Sequence, residues 1–378
     1  MPRIPGLALV FTLFASGCGL FSGLEVKSLG VSADKPGNVA VYLSVTDGDA
    51  PVGDLSEQDF SVYENGQRVD AERSGLTLLD RDAVADFRTV LLVDMSDAAR
   101  RDELARAAMS FVENARRTQA VTVYAFDGDG RLHAAGDFAR GAATSEGSPP
   151  TPLSGLASFA TRDPSRDLHG AIVAALAALD ARLMQAKQPV RVGTLVVFTE
   201  GPDLAGRVSA DALEAALDAT DHEVFALGLG EDASGFSLSR IGRAGVLRAP
   251  TAEALGPTFA DAGSRVSASH DGHYLLAYCS PARAGMRALR VTVEKTNREG
   301  TTSTGSVEAE FDATGFGAGC NPKTLPRFVV RARRPAETNP GSATTPAGRA
   351  AEPRADEASE PSGIVPPPNE PGYAPATP

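Results

Sequence analysis

Short apolar runs alternate, over the middle of the chain, with stretches in which apolar residues recur every three or four positions. The runs at 90–93 and 195–198 contain no polar residue, which is typical of strands buried on both faces of a sheet. After the first run, apolar residues line one face of a helix at Leu104, Ala107, Ala108, Phe111 and Ala115. We therefore predict that residues 86–269 form an α/β domain, a doubly wound parallel sheet with helices on both faces.

The rest of this domain follows the same alternation. We expect further strands at 120–126, 131–138, 223–227 and 246–248, and helices at 168–179, 210–219 and 251–266. The segment Asp127-Gly128-Asp129-Gly130 is interpreted as a hairpin turn; a calcium loop is the alternative, but the other ligands of such a loop are missing. Gly228-Leu229-Gly230 is interpreted as a tight turn, because the remaining positions of a dinucleotide-binding fingerprint are absent.

Both sides of this domain have the period of β structure. Strands are expected at 39–45, 60–63, 274–278 and 288–293. Asn65-Gly66 is a strong hairpin signal between apolar segments. The pattern predicts small β-sandwich-like segments at 25–85 and 270–334, either as two modules or as one discontinuous domain.

The last segment, residues 335–378, holds eleven of the 26 prolines, with Ala, Glu, Thr and Ser between them. Such a composition buries too little apolar surface to offset the entropy of ordering, so we expect a disordered tail. Pro366-Pro367-Pro368 favours an extended conformation. A role as ligand for the aromatic groove of a partner is the alternative.

Composition and motifs argue against two classes of function. The net charge of −12 gives no electrostatic footprint for nucleic acid. The chain has no Gly-x-Ser-x-Gly, His-Glu-x-x-His or P-loop motif, so we predict that it is not an enzyme. His169 has no recognisable nucleophile, and His270 and His273 are interpreted as residues of a loop before a strand.

The first residues resemble a bacterial lipoprotein signal. Arg3 precedes an apolar segment, residues 7–15, that is too short to span a bilayer as a helix. Small residues at 15–17 then precede Cys18, which in such signals becomes the lipidated N-terminus. An ordinary secretory signal with a chance cysteine is the alternative, and both imply export.

The lipoprotein resemblance implies a signal peptide at 1–17, a lipidated tether at 18–24 and attachment to a membrane through the lipid. In some bacteria an Asp directly after the lipidated Cys is associated with retention in the inner membrane. Here that residue is Gly19, so we expect the protein in the outer membrane of the cell envelope. With Cys18 lipidated, Cys279 and Cys320 remain as a pair in an oxidising compartment, and we predict a disulfide between them. Two buried free thiols are the alternative.

The stretch Asp94-Met95-Ser96-Asp97-Ala98 after the first buried strand resembles the start of a von Willebrand factor A (vWA) domain, whose metal site begins Asp-x-Ser-x-Ser. The segment 55–66 is similar to the Leu-x-x-x-Asp-Phe-x-Val-x-Glu-x-Gly pattern that precedes this domain in a family of exported bacterial proteins. The resemblance covers residues 24–320. It implies a vWA sheet with three loops that hold a divalent cation, usually Mg²⁺, at one edge.

This chain departs from the metal-binding pattern of that family. Loop one keeps Asp94 and Ser96, but Ala98 removes the second hydroxyl. Arg166 stands where loop two normally supplies a Thr, and a guanidinium has no acceptor atom for a cation. Loop three normally ends Thr-Asp-Gly, and here Glu200 replaces the Asp. We expect the Arg166 guanidinium to lie beside Asp94 and take the place of the metal, so no cofactor is expected.

Two alternatives keep a cation. Mg²⁺ could bind at the degenerate site, through Asp94 and Ser96 or with Asp97 or Asp167 as substitute ligands. A shifted loop two would let Ser165 or Thr161 supply the missing oxygen. In either case the resemblance implies an envelope lipoprotein that acts as a protein-binding, adhesion or scaffold module toward an unknown protein partner. The alternative function is a structural envelope component with a relic vWA core and no ligand.

Overall fold

A computed structural model describes residues 23–48, 50–141, 151–231 and 236–328. The predicted signal peptide, the lipidation site at Cys18 and the predicted tail at 335–378 lie outside these residues. The chain divides into two compact units, Met1–Ala332 and Arg333–Pro378, and all the described residues belong to the first. In the described ranges no helix has both the length and the apolar character needed to cross a membrane.

The described residues contain the following elements. The strands are β1 (Glu25–Asp34), β2 (Asn38–Asp47), β3 (Ala50–Pro51), β4 (Phe60–Glu64), β5 (Gln67–Arg68), β6 (Thr77–Leu79), β7 (Ala85–Asp94), β8 (Ala120–Phe126), β9 (His133–Phe138), β10 (Val190–Thr199), β11 (Glu223–Leu229), β12 (Gly245–Ala249), β13 (His273–Cys279), β14 (Met286–Thr296) and β15 (Thr302–Asp312). The helices are α1 (Ala71–Ser74), α2 (Arg101–Ala115), α3 (Ser154–Ala157), α4 (Leu168–Met184), α5 (Ala210–Ala219) and α6 (Leu255–Ser269).

The central sheet has the strand order β12-β11-β10-β7-β8-β9. Neighbouring strands are parallel except β9, which pairs antiparallel with β8 at one edge. Numbered within the domain, the order is 3-2-1-4-5-6, that of a doubly wound α/β fold whose topological switch lies beside its first strand. The predicted fold class is therefore confirmed, including the edge position of the strand after Asp127-Gly128-Asp129-Gly130.

Successive residues of β7 enter two different hydrophobic cores. Leu91 and Val93 pack into the cluster that holds α2 and α6, and Val90 and Leu92 pack into the cluster that holds α4 and α5. All four side chains are fully buried. Each such side chain contributes roughly 1.5–3 kcal/mol by leaving water, which explains why this strand has an apolar run rather than an alternating one.

The two flanking β segments share both sheets of a single sandwich. One sheet has the order β1-β2-β13-β6 with β3 paired to β2, and the other has the order β15-β14-β4-β5. The division into separate modules at 25–85 and 270–334 is therefore corrected, and the discontinuous-domain alternative describes the structure. The second segment supplies only β13 to one sheet and the pair β14–β15 to the other. An isolated pair of strands is marginally stable in water, so this segment needs the strands of the first to bury its apolar face.

The α/β domain is inserted into this sandwich, between β6 and β13. A small core joins the two parts through Tyr42, Phe87, Val190, Leu275 and Phe328, which are all buried. The chain crosses from the sandwich to the α/β domain at residues 80–84 and returns at residues 270–272.

The predicted disulfide is confirmed. Cys279, at the end of β13, bonds to Cys320 with a Cα–Cα distance of 5.8 Å and a sequence separation of 41 residues. Asn38 Oδ1 accepts a hydrogen bond of 3.0 Å from the backbone N–H of Asn321, next to the bridge. The bridge therefore fixes the segment after β15 to the start of β2 and the end of β13.

Loss of this bridge should destabilise the sandwich. For a loop closed by residues 41 apart, the chain-entropy treatment gives about 4 kcal/mol. We expect Cys279→Ala/Cys320→Ala, or reduction of the parent, to lower the free energy of unfolding by up to that amount in urea titrations followed by circular dichroism. Adding the reductant to the double variant is the control and should change nothing. An unchanged midpoint in the double variant would contradict the expectation.

Candidate functional site

The carboxyl ends of three neighbouring parallel strands meet at one edge of the central sheet, which we call the top edge. Asp94 ends β7 and Thr199 ends β10, while Asp127 directly follows β8. Ligands of open α/β sheets bind at this end of the strands, beside the topological switch. The top edge is therefore the candidate site, formed by loop one (95–100), loop two (161–167) and loop three (200–208).

Asp94 is the centre of the site and is only 2% exposed. Its Oδ1 accepts a hydrogen bond of 3.0 Å from the Ser96 N–H. Its Oδ2 accepts from Thr199 Oγ1 at 3.1 Å, from the Glu200 N–H at 3.2 Å and from Arg166 Nε. The carboxylate is thus hydrogen-bonded by groups from all three loops, and its charge is balanced by Arg166.

Arg166 connects the three loops. Its side chain is 12% exposed and forms an ion pair with Asp94. Its Nη1 donates to the Pro202 carbonyl at 3.3 Å, and its own carbonyl accepts from the N–H groups of Leu204 at 2.8 Å and Ala205 at 3.0 Å. The contact expected between Arg166 and Asp94 is present, whereas the replacement of a metal by this pair stays a prediction.

A second arginine joins loops one and three. Arg100 Nη1 lies 2.9 Å from Asp97 Oδ2 and 2.7 Å from Glu200 Oε2. Arg100 was not predictable as a site residue from the sequence, because its partner Glu200 is 100 residues away in the chain. Burial raises the pKa of Glu200, and the charge of Arg100 opposes that rise.

Three buried oxygen atoms near the top edge have no hydrogen-bond partner within the described residues. They are Ser96 Oγ, Asp167 Oδ1 and Glu200 Oε1. Asp167 is 4% exposed, and its pKa is raised by burial and by the charge of Asp203. Oxygens of this kind could accept a hydrogen bond or bind a cation. Whether a metal fits the site therefore depends on the other groups around them.

The residues do not fit the divalent cation that the family resemblance implies. The guanidinium of Arg166, which has donors and no acceptor, is already paired with Asp94. The hydroxyls of Thr161 and Ser165, the substitutes considered for loop two, donate to Met95 O at 2.8 Å and to Asp163 Oδ1 at 2.7 Å. Ala98 offers no side-chain oxygen. A hard cation prefers six or more oxygen ligands, and the top edge presents an arginine in their place.

A second group of ligand-type residues lies beside the top edge. One potential ligand atom each of Asp127, Asp129 and His133 lies within 4.8 Å of the others. Asp127 Oδ1 accepts from the Asp129 N–H at 2.8 Å, and its Oδ2 accepts from the Arg162 N–H at 2.7 Å. His133 Nε2 lies 3.0 Å from Asp129 Oδ2. Through these contacts the carboxylates of Asp127 and Asp129 stabilise the turn into β9, which agrees with the interpretation of this segment as a hairpin turn.

A cavity of about 210 Å³ lies next to loop three, between α4, α5 and the turn Leu238–Arg240. Leu213, Leu217 and Ile241 line its apolar part, and His169 lines its polar part. His169 Nδ1 lies 3.0 Å from the Val208 carbonyl, so this nitrogen donates to the backbone. The imidazole therefore holds loop three in place.

Comparison with known proteins gives fold-level similarity only. No family model matches the chain, and no curated protein matches it. Among solved structures, a von Willebrand factor type A protein from Catenulispora acidiphila is 13% identical, with 76% of this chain and 72% of that one covered and a TM-score of 0.37. The VWA domain of SpRpn10 is 13% identical, with 45% and 92% covered and a TM-score of 0.32.

A third similar structure is proximal thread matrix protein 1 from the mussel byssus with a zinc-occupied MIDAS motif. It is 15% identical, with 49% of this chain and 48% of that chain covered and a TM-score of 0.37. The chain thus spans about half the length of the mussel protein. At these identities and TM-scores nothing about function follows, and the fold rests on the strand order described above.

Removing the arginine should destabilise the α/β domain. Arg166→Met leaves the Asp94 carboxylate buried without its counter-charge, for which we expect a loss of about 3 kcal/mol in the free energy of unfolding. Arg265→Met is the matched control, because its partner Asp261 is on the same exposed helix face and such pairs are worth under about 1 kcal/mol. Equal losses for the two variants in urea titrations would contradict a central role of the buried pair.

The same residue should control metal binding. We expect calorimetric titration of the parent with Mg²⁺ or Mn²⁺ to give no binding, and Arg166→Thr to gain it, because the change removes a cation and adds a hydroxyl. Ser96 Oγ and Glu200 Oε1 would then be available as further ligands. Micromolar binding by the parent would overturn the expectation. If neither protein binds the metal, Ala98 and Glu200 also prevent binding.

Proposed function

We propose that this chain is an exported envelope lipoprotein whose α/β domain binds a protein partner through its top edge, independently of divalent cations. The observation that carries the proposal is the Arg166–Asp94 pair, which joins the three loops where a metal would otherwise do so. Arg100 adds a second link between loops one and three. Loops that are held in one conformation lose little entropy on binding, which favours affinity.

Loop three supports a role in recognition. Leu204 is 64% exposed, although hydrogen bonds fix the backbone around it. The Arg166 carbonyl accepts from the Leu204 N–H. Asp203 Oδ1 accepts from the His169 N–H at 3.1 Å, and Asp203 Oδ2 accepts from the Gly206 N–H at 2.8 Å. An apolar side chain displayed on a rigid loop gains free energy when an apolar pocket of a partner buries it, and the loop loses little entropy. We infer that Leu204 is the central contact.

The envelope location rests on the sequence around Cys18, which lies outside the described residues. The Cys279–Cys320 disulfide supports export, because such bonds persist in oxidising compartments. We propose attachment to the outer membrane through the lipid. The alternative, a structural envelope component with a relic core, is compatible with the same loop links, and binding experiments separate the two.

Capture from a detergent extract of the envelope tests the proposal. The full chain should retain a partner equally with Mg²⁺ and with EDTA. Leu204→Asp should weaken retention at least about tenfold, because burial of a Leu side chain contributes about 1.5–3 kcal/mol. Met184→Asp is the matched control, because Met184 is 66% exposed at the far end of α4. Loss of binding in EDTA would show metal dependence. Equal retention by both variants would remove Leu204 from the interface, and no retention by the parent would favour the relic alternative.

A further inference from the structure

The two chain crossings between the sandwich and the α/β domain meet at one cluster of charged and imidazole groups. The first crossing contributes Arg81 and Asp82, and the second contributes His270 and Asp271. Arg81 Nη1 donates to the His273 carbonyl at 2.8 Å, and its Nη2 lies 3.0 Å from His270 Nδ1. One arginine of the first crossing therefore contacts the second crossing at His270 and the start of β13 at His273.

His270 is the group on which this cluster depends. It is 5% exposed, its Nε2 lies 2.7 Å from Asp82 Oδ1, and its ring packs against Phe87 with 4.5 Å between ring centroids. Because a guanidinium can only donate, Nδ1 must accept from Arg81. The proton of the neutral ring therefore lies on Nε2, which donates to Asp82.

A second proton on His270 would conflict with this arrangement. It would occupy Nδ1, which would then be a donor facing the donor-only guanidinium of Arg81, and that hydrogen bond would be lost. It would also add a positive charge to a group in which Arg81 and Arg140 are balanced by Asp82 and Asp271, with Arg140 Nη2 2.7 Å from Asp82 Oδ2. The Asp82 carboxylate cannot fully neutralise the added charge, since it already forms an ion pair with Arg140.

The neighbouring groups do not relieve the conflict. The titratable and charged residues next to His270, from the first crossing, from the end of β9 and from its own segment, are Arg81, Asp82, Arg140, Asp271 and His273. Tyr42 of β2 interacts in turn with Asp80, Arg81 and Asp82. Burial raises the pKa of Tyr42, so it stays neutral, and burial lowers the pKa of His273 to about 3, so it is uncharged in mildly acidic solution. Tyr42 and His273 therefore supply no counter-charge to a protonated His270.

We propose that His270 is an acid-sensitive latch between the two domains: its protonation in mildly acidic solution releases Arg81 and loosens both crossings. Burial lowers the pKa of His270 below its usual value, with Arg81 and Arg140 acting in the same direction and Asp82 against it. The unfolded or opened chain thus binds the proton more tightly than the closed form. The latch is fully closed above about pH 6.5 and is lost as the pH falls from there toward the depressed value.

The first test follows the full chain from pH 7.5 to 4.5 by two measurements. Hydrogen exchange of peptides covering 80–84 and 270–273, corrected for the intrinsic pH dependence, should rise at least tenfold. The NMR titration of the ¹³C-labelled His270 ring should have the same midpoint. Absence of the exchange step, or different midpoints for the two measurements, would overturn the proposal.

Variants separate the latch from general acid sensitivity. His270→Gln should abolish the exchange step, and His222→Gln should leave it intact, because His222 pairs with Asp180 at 2.9 Å on another part of the α/β domain. Arg140→Met should move the midpoint upward by about 0.5–1 pH unit, since it removes a positive charge and frees Asp82 for His270. That shift tests the proposal even where His270→Gln fails to fold. A step that persists in His270→Gln, or an unmoved midpoint in Arg140→Met, would contradict it.

Discussion

A carboxylate buried at the end of the central strand must be neutralised, and the top edge is arranged around that requirement. Asp94 is 2% exposed, and its hydrogen-bond donors come from all three loops. A buried charge without a partner costs several kcal/mol, so the loops cannot separate from Asp94 without that penalty. One side chain at the end of β7 therefore fixes the relative positions of the loops that form the candidate site.

The nature of the cation determines what the site can do. A divalent metal that joins such loops can keep an open coordination position for an acidic group of a partner. A guanidinium has no such position, because all its polar atoms are donors within the plane of one side chain. With Arg166 on Asp94, recognition would depend on side chains displayed by the loops, of which Leu204 is the exposed apolar one on loop three.

The sequence predicted the doubly wound sheet because β7 and β10 are buried on both faces and therefore have continuous apolar runs. It did not resolve β1, β6 or β15, because short or polar strands have no such run and their pairing depends on distant segments. The Arg166–Asp94 contact was predictable from the spacing of three family motifs. The links of Arg100 with Glu200 and of His270 with Asp82 were not, because partners 100 and 188 residues apart meet only through the topology.

Strand β7 connects the two features on which function would depend. It begins at Ala85 beside the crossings and ends at Asp94 in the top edge, and ten residues of strand span about 30 Å. The strand lies in the middle of the central sheet, where it pairs with β10 on one side and β8 on the other. The contacts at the crossings and the Arg166–Asp94 link therefore involve different residues at opposite ends of the strand. The residues that join the three loops and the residues that join the two crossings thus form separate groups at the two ends of β7.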